Sequence, residues 1–119
     1  MSWDPGEAVS YARRHAHLHT THFCARAVAA AINAGGVHID SADARDFEYA
    51  LTKAGFSQVY GEPVKGDIAV INPFSGSMYG HVCIYDGQGT WYSDFTQRSM
   101  YPGPGYRKAA PAFKIYRHP

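Results

Sequence analysis

Two side chains in this sequence have the type and the placement for nucleophilic chemistry. Cys24 stands at the start of FCARAVAAAINAGG, residues 23–36, the clearest helical segment in the chain. A thiol in the first turn of a helix faces unpaired backbone N–H groups and the positive end of the helix dipole, and both favour the thiolate. The same N–H groups can support an oxyanion. The plainer reading of Cys24 is a small buried residue in a tight, alanine-rich helix. His81 weighs against that reading. It opens a strand in MYGHVCIYDG, just after Gly80, which leaves room for another backbone or a ligand to approach. An imidazole on a strand, downstream of a cysteine at a helix start, is the arrangement cysteine hydrolases use: the imidazole takes the thiol proton and the sulfur attacks a carbonyl.

A third member follows from hairpin register. If Asp86–Gly89 (DGQG) is the loop and Tyr85 faces Thr90, then His81 faces Asp94 in WYSDF on the same side of the sheet. An aspartate there would fix the imidazole tautomer and stabilise the imidazolium. A slip of one residue spoils the pairing, and a bulge would bring Ser93 or Gln97 near the ring instead. Alternation puts Cys83 on the same face as His81, as a small buried side chain under the helices. A regulatory Cys24–Cys83 disulfide is the rival reading, and it would disable the nucleophile.

The elements that must position these groups read as helices first and strands after. Asp4 caps a helix to about Ala16, with Pro5 at its first position and Glu7 in capping-box spacing. The polar connector HAHLHTTH, residues 15–22, follows, and Thr20 or Thr21 can cap the Cys24 helix. Gly35 and Gly36 end that helix. A third helix runs from Ser41, its cap, to Ala54, with Ala44, Phe47, Leu51 and Ala54 on one face. Strands are expected at about 67–72, 80–86, 90–95 and 112–117, and residues 101–111 (YPGPGYRKAAP) as a loop. This order predicts an α+β class with N-terminal helices packed on an antiparallel sheet.

Composition bounds the rest. The 119 residues carry a net charge of +1, 45% hydrophobic and 14% aromatic residues. That is room for one domain, 1–119, with enough apolar surface to fold without a metal or disulfide staple. The near-zero charge excludes a simple electrostatic nucleic-acid binder. There is no apolar run of about 18 residues, so no membrane insertion is expected, and the N-terminus lacks the apolar core of a secretory signal. His15, His17, His19 and His22 crowd the connector and raise the alternative of a zinc site of hydrolytic type. Spacing of two along a chain does not aim successive rings at one centre, and no accompanying metal motif exists. No cofactor and no metal are therefore expected, and His22 is assigned to the mouth of the site.

FCARAVAAAINAGG, then KGDIAVINP, then GHVCIYDGQGTWYSDF carry a resemblance. A cysteine-led helix, a Gly-Asp strand, a Gly-His-Val strand and a following polar residue recur in this order in the NlpC/P60 and CHAP group of papain-like peptidoglycan hydrolases. The resemblance covers roughly residues 20 to 117. The small size and the absent signal also look similar to amidase effectors of type VI secretion systems. The resemblance implies a papain-like (NlpC/P60-type) fold, Cys24 as nucleophile, His81 as general base and Asp94 as third member, a position often filled in that family by histidine, asparagine, glutamine or glutamate. Tyr11 is the candidate for the tyrosine that aids the oxyanion hole in the NlpC/P60 branch. Tyr79 and Trp91, with His22, Phe74 and Tyr101, are candidates to line a groove. The implied reaction is amide hydrolysis in a cell-wall stem peptide or cross-link, by a monomer. The implied partners are the peptidoglycan peptide and a cognate immunity protein. The implied route is synthesis in the bacterial cytoplasm without a signal peptide and non-classical delivery to a target cell's periplasm or wall. The alternatives are a zinc-dependent wall amidase using the His15–His22 cluster and a non-catalytic module that binds wall or protein.

Overall fold

The structure is a computed structural model that describes residues 2–40 and 43–119. Helix α1 spans Pro5–His15, and its cap is the expected one: Asp4 Oδ1 accepts from the Glu7 N–H at 3.0 Å. Helix α2 spans Cys24–Ala34. A 3-10 turn, Ala44–Asp46, runs into α3, Phe47–Lys53. The proposed cap Ser41 lies outside the described residues. Strands follow at Ser57–Val59 (β1), Ile68–Ile71 (β2), His81–Tyr85 (β3), Trp91–Tyr92 (β4), Thr96–Gln97 (β5) and Phe113–Arg117 (β6). They form one antiparallel sheet in the order β1-β6-β2-β3-β4-β5. The α+β expectation, with N-terminal helices on an antiparallel sheet, holds.

The helices cover one face of that sheet. Ala8, Val9 and Ala12 of α1 meet Val28, Ala29 and Ile32 of α2, and the small residues let the two helices approach closely. Beneath them lie Ile68, Val70, Val82 and Ile84, with Phe47 and Leu51 from α3. Each large side chain buried here contributes roughly 1.5–3 kcal/mol. The other face carries a smaller cluster of Ala69, Cys83, Trp91 and Ile115. Cys83 is thus buried as expected but away from the helices. Strand alternation sends Val82 and Ile84 to the helices and Cys83 to the opposite side.

The Gly-Asp segment has a structural role. Gly66 takes a φ of +91°, and a Cβ there would strike Pro5 of α1. Asp67 is fully buried and paired twice with Arg117 of β6, each bond at 2.8 Å, and it also accepts from the Val64 N–H. This ties the β2 entry to the end of the chain.

Several local readings differ from the sequence expectation: β1 falls where no strand was expected, and the third helix is α-helical only over Phe47–Lys53. Residues 104–109 form a short helix, α4 (Pro104–Ala109), inside the segment read as a loop. Proline at its first position after Gly103, and Arg107 and Lys108 in its last turn, are ordinary helix signals that the surrounding prolines and glycines mask. The expected 90–95 strand breaks after Tyr92, because Ser93 N–H turns back to the Phe95 carbonyl at 3.0 Å. The chain then returns as β5, with Gln97 opposite Trp91. Among the described residues, no helix is long and apolar enough to cross a membrane.

Candidate active site

A cleft of about 1150 Å³ opens between the start of α2, the start of β3 and helix α4. Cys24 and His81 both line it. Cys24 comes from the first turn of α2, and the backbone N–H groups of Val82, Ala25 and Cys24 itself face its sulfur. Val82 is the residue after His81, so the helix start abuts the β3 entry. The helix-start position was expected to lower the thiol pKa. Instead the pKa is raised: burial outweighs the amide contacts, and the negative charge of Asp94 adds to the rise. The resting sulfur is a protonated thiol.

His81 is 7% exposed at the first position of β3. Gly80 before it takes a φ of +74°, and a Cβ there would collide with the Ile71 carbonyl oxygen, so the close approach inferred from sequence is real. His81 Nε2 lies 2.7 Å from Gln97 Oε1. The Gln97 amide group donates to the Ser99 and Met100 carbonyls, both at 3.0 Å. That leaves Oε1 to face the ring as an acceptor, so Nε2 carries the hydrogen. Nδ1 is then the basic nitrogen. Burial lowers the His81 pKa, more than the Gln97 hydrogen bond and the Asp94 charge raise it. At neutral pH the ring is a free base.

Asp94 is not the residue bonded to His81. The β3–β4 register is one residue off the expected one, pairing Ile84 with Tyr92 and Tyr85 with Trp91. The cause is Asp86. Its carboxylate accepts from Gln88 N–H at 2.7 Å and Thr90 N–H at 3.0 Å, and its own N–H pairs with the Thr90 carbonyl. Asp86 therefore belongs to the ladder, and the loop shrinks to Gly87–Gly89. Asp94 turns instead to the start of α2. Its Oδ2 accepts from Thr21 N–H, Thr21 Oγ1 (2.8 Å), Thr20 Oγ1 (3.1 Å) and Phe23 N–H (3.4 Å). The two threonines expected to cap the helix donate to Asp94, and the N-cap Phe23 makes no side-chain cap bond. His17 N–H also donates to the Asp94 carbonyl at 2.9 Å, so the histidine connector is strapped to the β4–β5 turn.

The other candidates divide. His22, at a φ of +68°, and the exposed Tyr79 line the cleft. Trp91 does not: it is 6% exposed and packs at a tilt against Tyr85 on the far face. Tyr11 does not reach the cleft either. It stacks on His15 at 3.9 Å and lines a separate cavity. Phe74 supports the wall through an edge contact with Tyr106, and Tyr101 bonds to the Pro111 carbonyl. Tyr106 itself, missed in the sequence, lines the cleft with its ring centroid 5.9 Å from that of His81 and its hydroxyl on Ser77 Oγ. His15, His17, His19 and His22 do not converge. Among the described residues no three His, Cys, Asp or Glu side chains are grouped to hold a metal. Cys24 and Cys83 are both free thiols.

An antiparallel sheet that presents an imidazole beside a cysteine at the start of the helix packed on it defines a small α+β protein with a thiol–imidazole cleft, consistent with a papain-like fold. The sequence matches no protein-family model, and no curated protein matches it. Solved structures do. One is the type VI native effector–immunity complex Tae3–Tai3 from Ralstonia pickettii, at 40% identity and a TM-score of 0.93, over 98% of this chain and 100% of that one. Another is the selenomethionine form of that type VI effector–immunity complex, at 42% identity and a TM-score of 0.87, over 92% of this chain and 98% of that one. The chain belongs to the Tae3 family of type VI effectors.

Proposed function

We propose that this protein is an antibacterial type VI effector that hydrolyses an amide bond in the peptide of bacterial peptidoglycan, with Cys24 as nucleophile. The single observation that carries the mechanism is the shared cleft. There a helix-start thiol meets an imidazole whose Nε2–H is held by Gln97. Membership of the Tae3 family supports the amidase reading, delivery to a target cell's periplasm, and a cognate immunity protein as partner.

The chemistry follows from the resting charges. Because the thiol is protonated and the ring neutral, His81 Nδ1 takes the Cys24 proton as the sulfur–carbon bond forms. The oxyanion rests on free N–H groups in the first turn of α2, since Asp94 occupies the Phe23 N–H and leaves those of Cys24 and Ala25 uncommitted to it. Collapse breaks the carbon–nitrogen bond, and His81 returns its proton to the leaving amine. Water then attacks the thioester, giving a proton to His81 as the acid is released and the thiol reforms. Gln97 takes the orienting role that the sequence assigned to Asp94, and by holding Nε2–H it leaves Nδ1 as the nitrogen that gains and loses the proton.

Digestion of purified peptidoglycan by wild type and by Cys24→Ala, with fragments identified by mass spectrometry, tests this reading and names the bond. Wild type should release peptide fragments and Cys24→Ala none. Equal digestion by both would overturn the thiol mechanism. Wild type that pellets with the wall without cutting it would make the chain a binding module.

A further inference from the structure

Phe23 and Arg26 separate the cleft from a second cavity of about 280 Å³. Tyr11, Ala27 and Ala30 give this cavity apolar walls. Ser93 and Asp94 also line it, and each is only 3% exposed. Among the described residues, Ser93 Oγ and Asp94 Oδ1 are the buried side-chain polar atoms without a hydrogen-bond partner. Every bond made by the Asp94 carboxylate goes to Oδ2. Buried polar atoms in folded proteins are almost always paired, and a bare carboxylate oxygen calls for a donor. A cationic N–H is the strongest such donor, and a neighbouring hydroxyl can accept a second hydrogen from the same group. Arg26, its guanidinium 4.6 Å from the Phe23 ring centroid, stands on the wall common to both cavities and can bind a carboxylate there.

We propose that this cavity binds the zwitterionic end of an amino acid, with its ammonium on Ser93 Oγ and Asp94 Oδ1 and its carboxylate on Arg26. The apolar walls take the aliphatic stem. Resting on the wall-hydrolase reading, the natural bearer is the free amino-acid centre of a diamino acid in the stem peptide. That centre anchors the peptide while the scissile amide lies in the adjoining cleft.

The test is titration of Cys24→Ala protein with free meso-diaminopimelate, followed by NMR amide shifts. Pimelate, which has the same carbon chain and carboxylates without the amines, is the control. Diaminopimelate should shift Ser93, Asp94 and Ala30, and pimelate should not. Ser93→Ala and Arg26→Gln should each weaken binding about tenfold, the value of one charge-assisted hydrogen bond. Ala30→Leu, which fills the cavity and leaves the polar pair intact, should abolish binding while the protein stays folded by circular dichroism. Shifts that miss these residues, equal binding of pimelate, or unchanged affinity in Ala30→Leu would overturn the proposal and leave ordered water as the partner of the two atoms. Binding is read without turnover, so the two readings fail separately. Binding without wall digestion by wild type would sink the hydrolase alone, and digestion without binding would sink the subsite alone.

Discussion

Gln97 Oε1 accepts the Nε2–H of His81 at 2.7 Å, and the same amide is pinned by the Ser99 and Met100 carbonyls. A neutral amide held in this way fixes one imidazole tautomer without adding charge. Gln97→Ala frees the ring to rotate and to adopt the other tautomer, and it should lower kcat roughly 10–100-fold with a smaller change in KM. Gln97→Glu places a carboxylate on Nε2 and should move the acid limb of the pH–rate profile upward, because a negative neighbour raises an imidazole pKa. Steady-state kinetics on a soluble wall peptide measure both. An unmoved profile in Gln97→Glu would remove Gln97 from the site.

The buried, neutral imidazole sets the pH response. The His81 pKa lies below its ordinary value of 6.5, chiefly through burial. As the proposed base the ring is then unprotonated at neutral pH, and the midpoint of the acid limb of kcat/KM should lie below pH 6.5. Stability follows the same sign. Below pH 6.5 the unfolded chain takes the proton more readily than the fold does, so acidification through this window should lower Tm. A rate that halves above pH 6.5 would contradict the assigned burial.

The two thiols should separate by reactivity. Cys24 lines an open cleft, whereas Cys83 is fully buried with its pKa pushed far up by burial. Iodoacetamide should label Cys24 at least tenfold faster than Cys83 in the folded protein. The Cys24 rate should climb with pH beyond 9, since its own pKa is raised. Peptide mapping by mass spectrometry reads both rates, and equal labelling would show that Cys83 is not enclosed.

Asp94 is assigned to the architecture of α2 rather than to the proton transfer. Asp94→Ala strips the shared acceptor from Thr20, Thr21 and the Phe23 N–H. Loss of a charged acceptor of this kind costs roughly 1.5–3 kcal/mol. Tm should drop by roughly 5–10 °C for a chain of this size. Hydrogen exchange should speed up at Thr21, Phe23 and the first turn of α2 before it does in the sheet. Uniform exchange would mean that Asp94 does not cap this helix.

The sequence by itself determined the class and the placement of the two groups proposed to react. Apolar periodicity marks α1, α2 and the β2, β3 and β6 strands, because burial of one face is written locally in residue spacing. Cys24 and His81 were legible for the same reason: each sits at the end of an element that its neighbours specify, and Gly80 marks the close approach at His81. What the tertiary structure decided was the partner of each group. Whether Asp94 or Gln97 meets His81 turns on the hairpin register and on the break of the strand after Tyr92, and Asp86 sets that register with hydrogen bonds across its own loop. The turn at Ser93 then carries Gln97 back to the ring and aims Asp94 at a helix more than seventy residues earlier. The direction of the Cys24 pKa had the same origin. Helix position favours the thiolate, but burial opposes it, and burial depends on segments such as α4 that lie far along the chain. Local spacing specifies elements, whereas register, desolvation and long-range hydrogen bonds exist only once the elements meet.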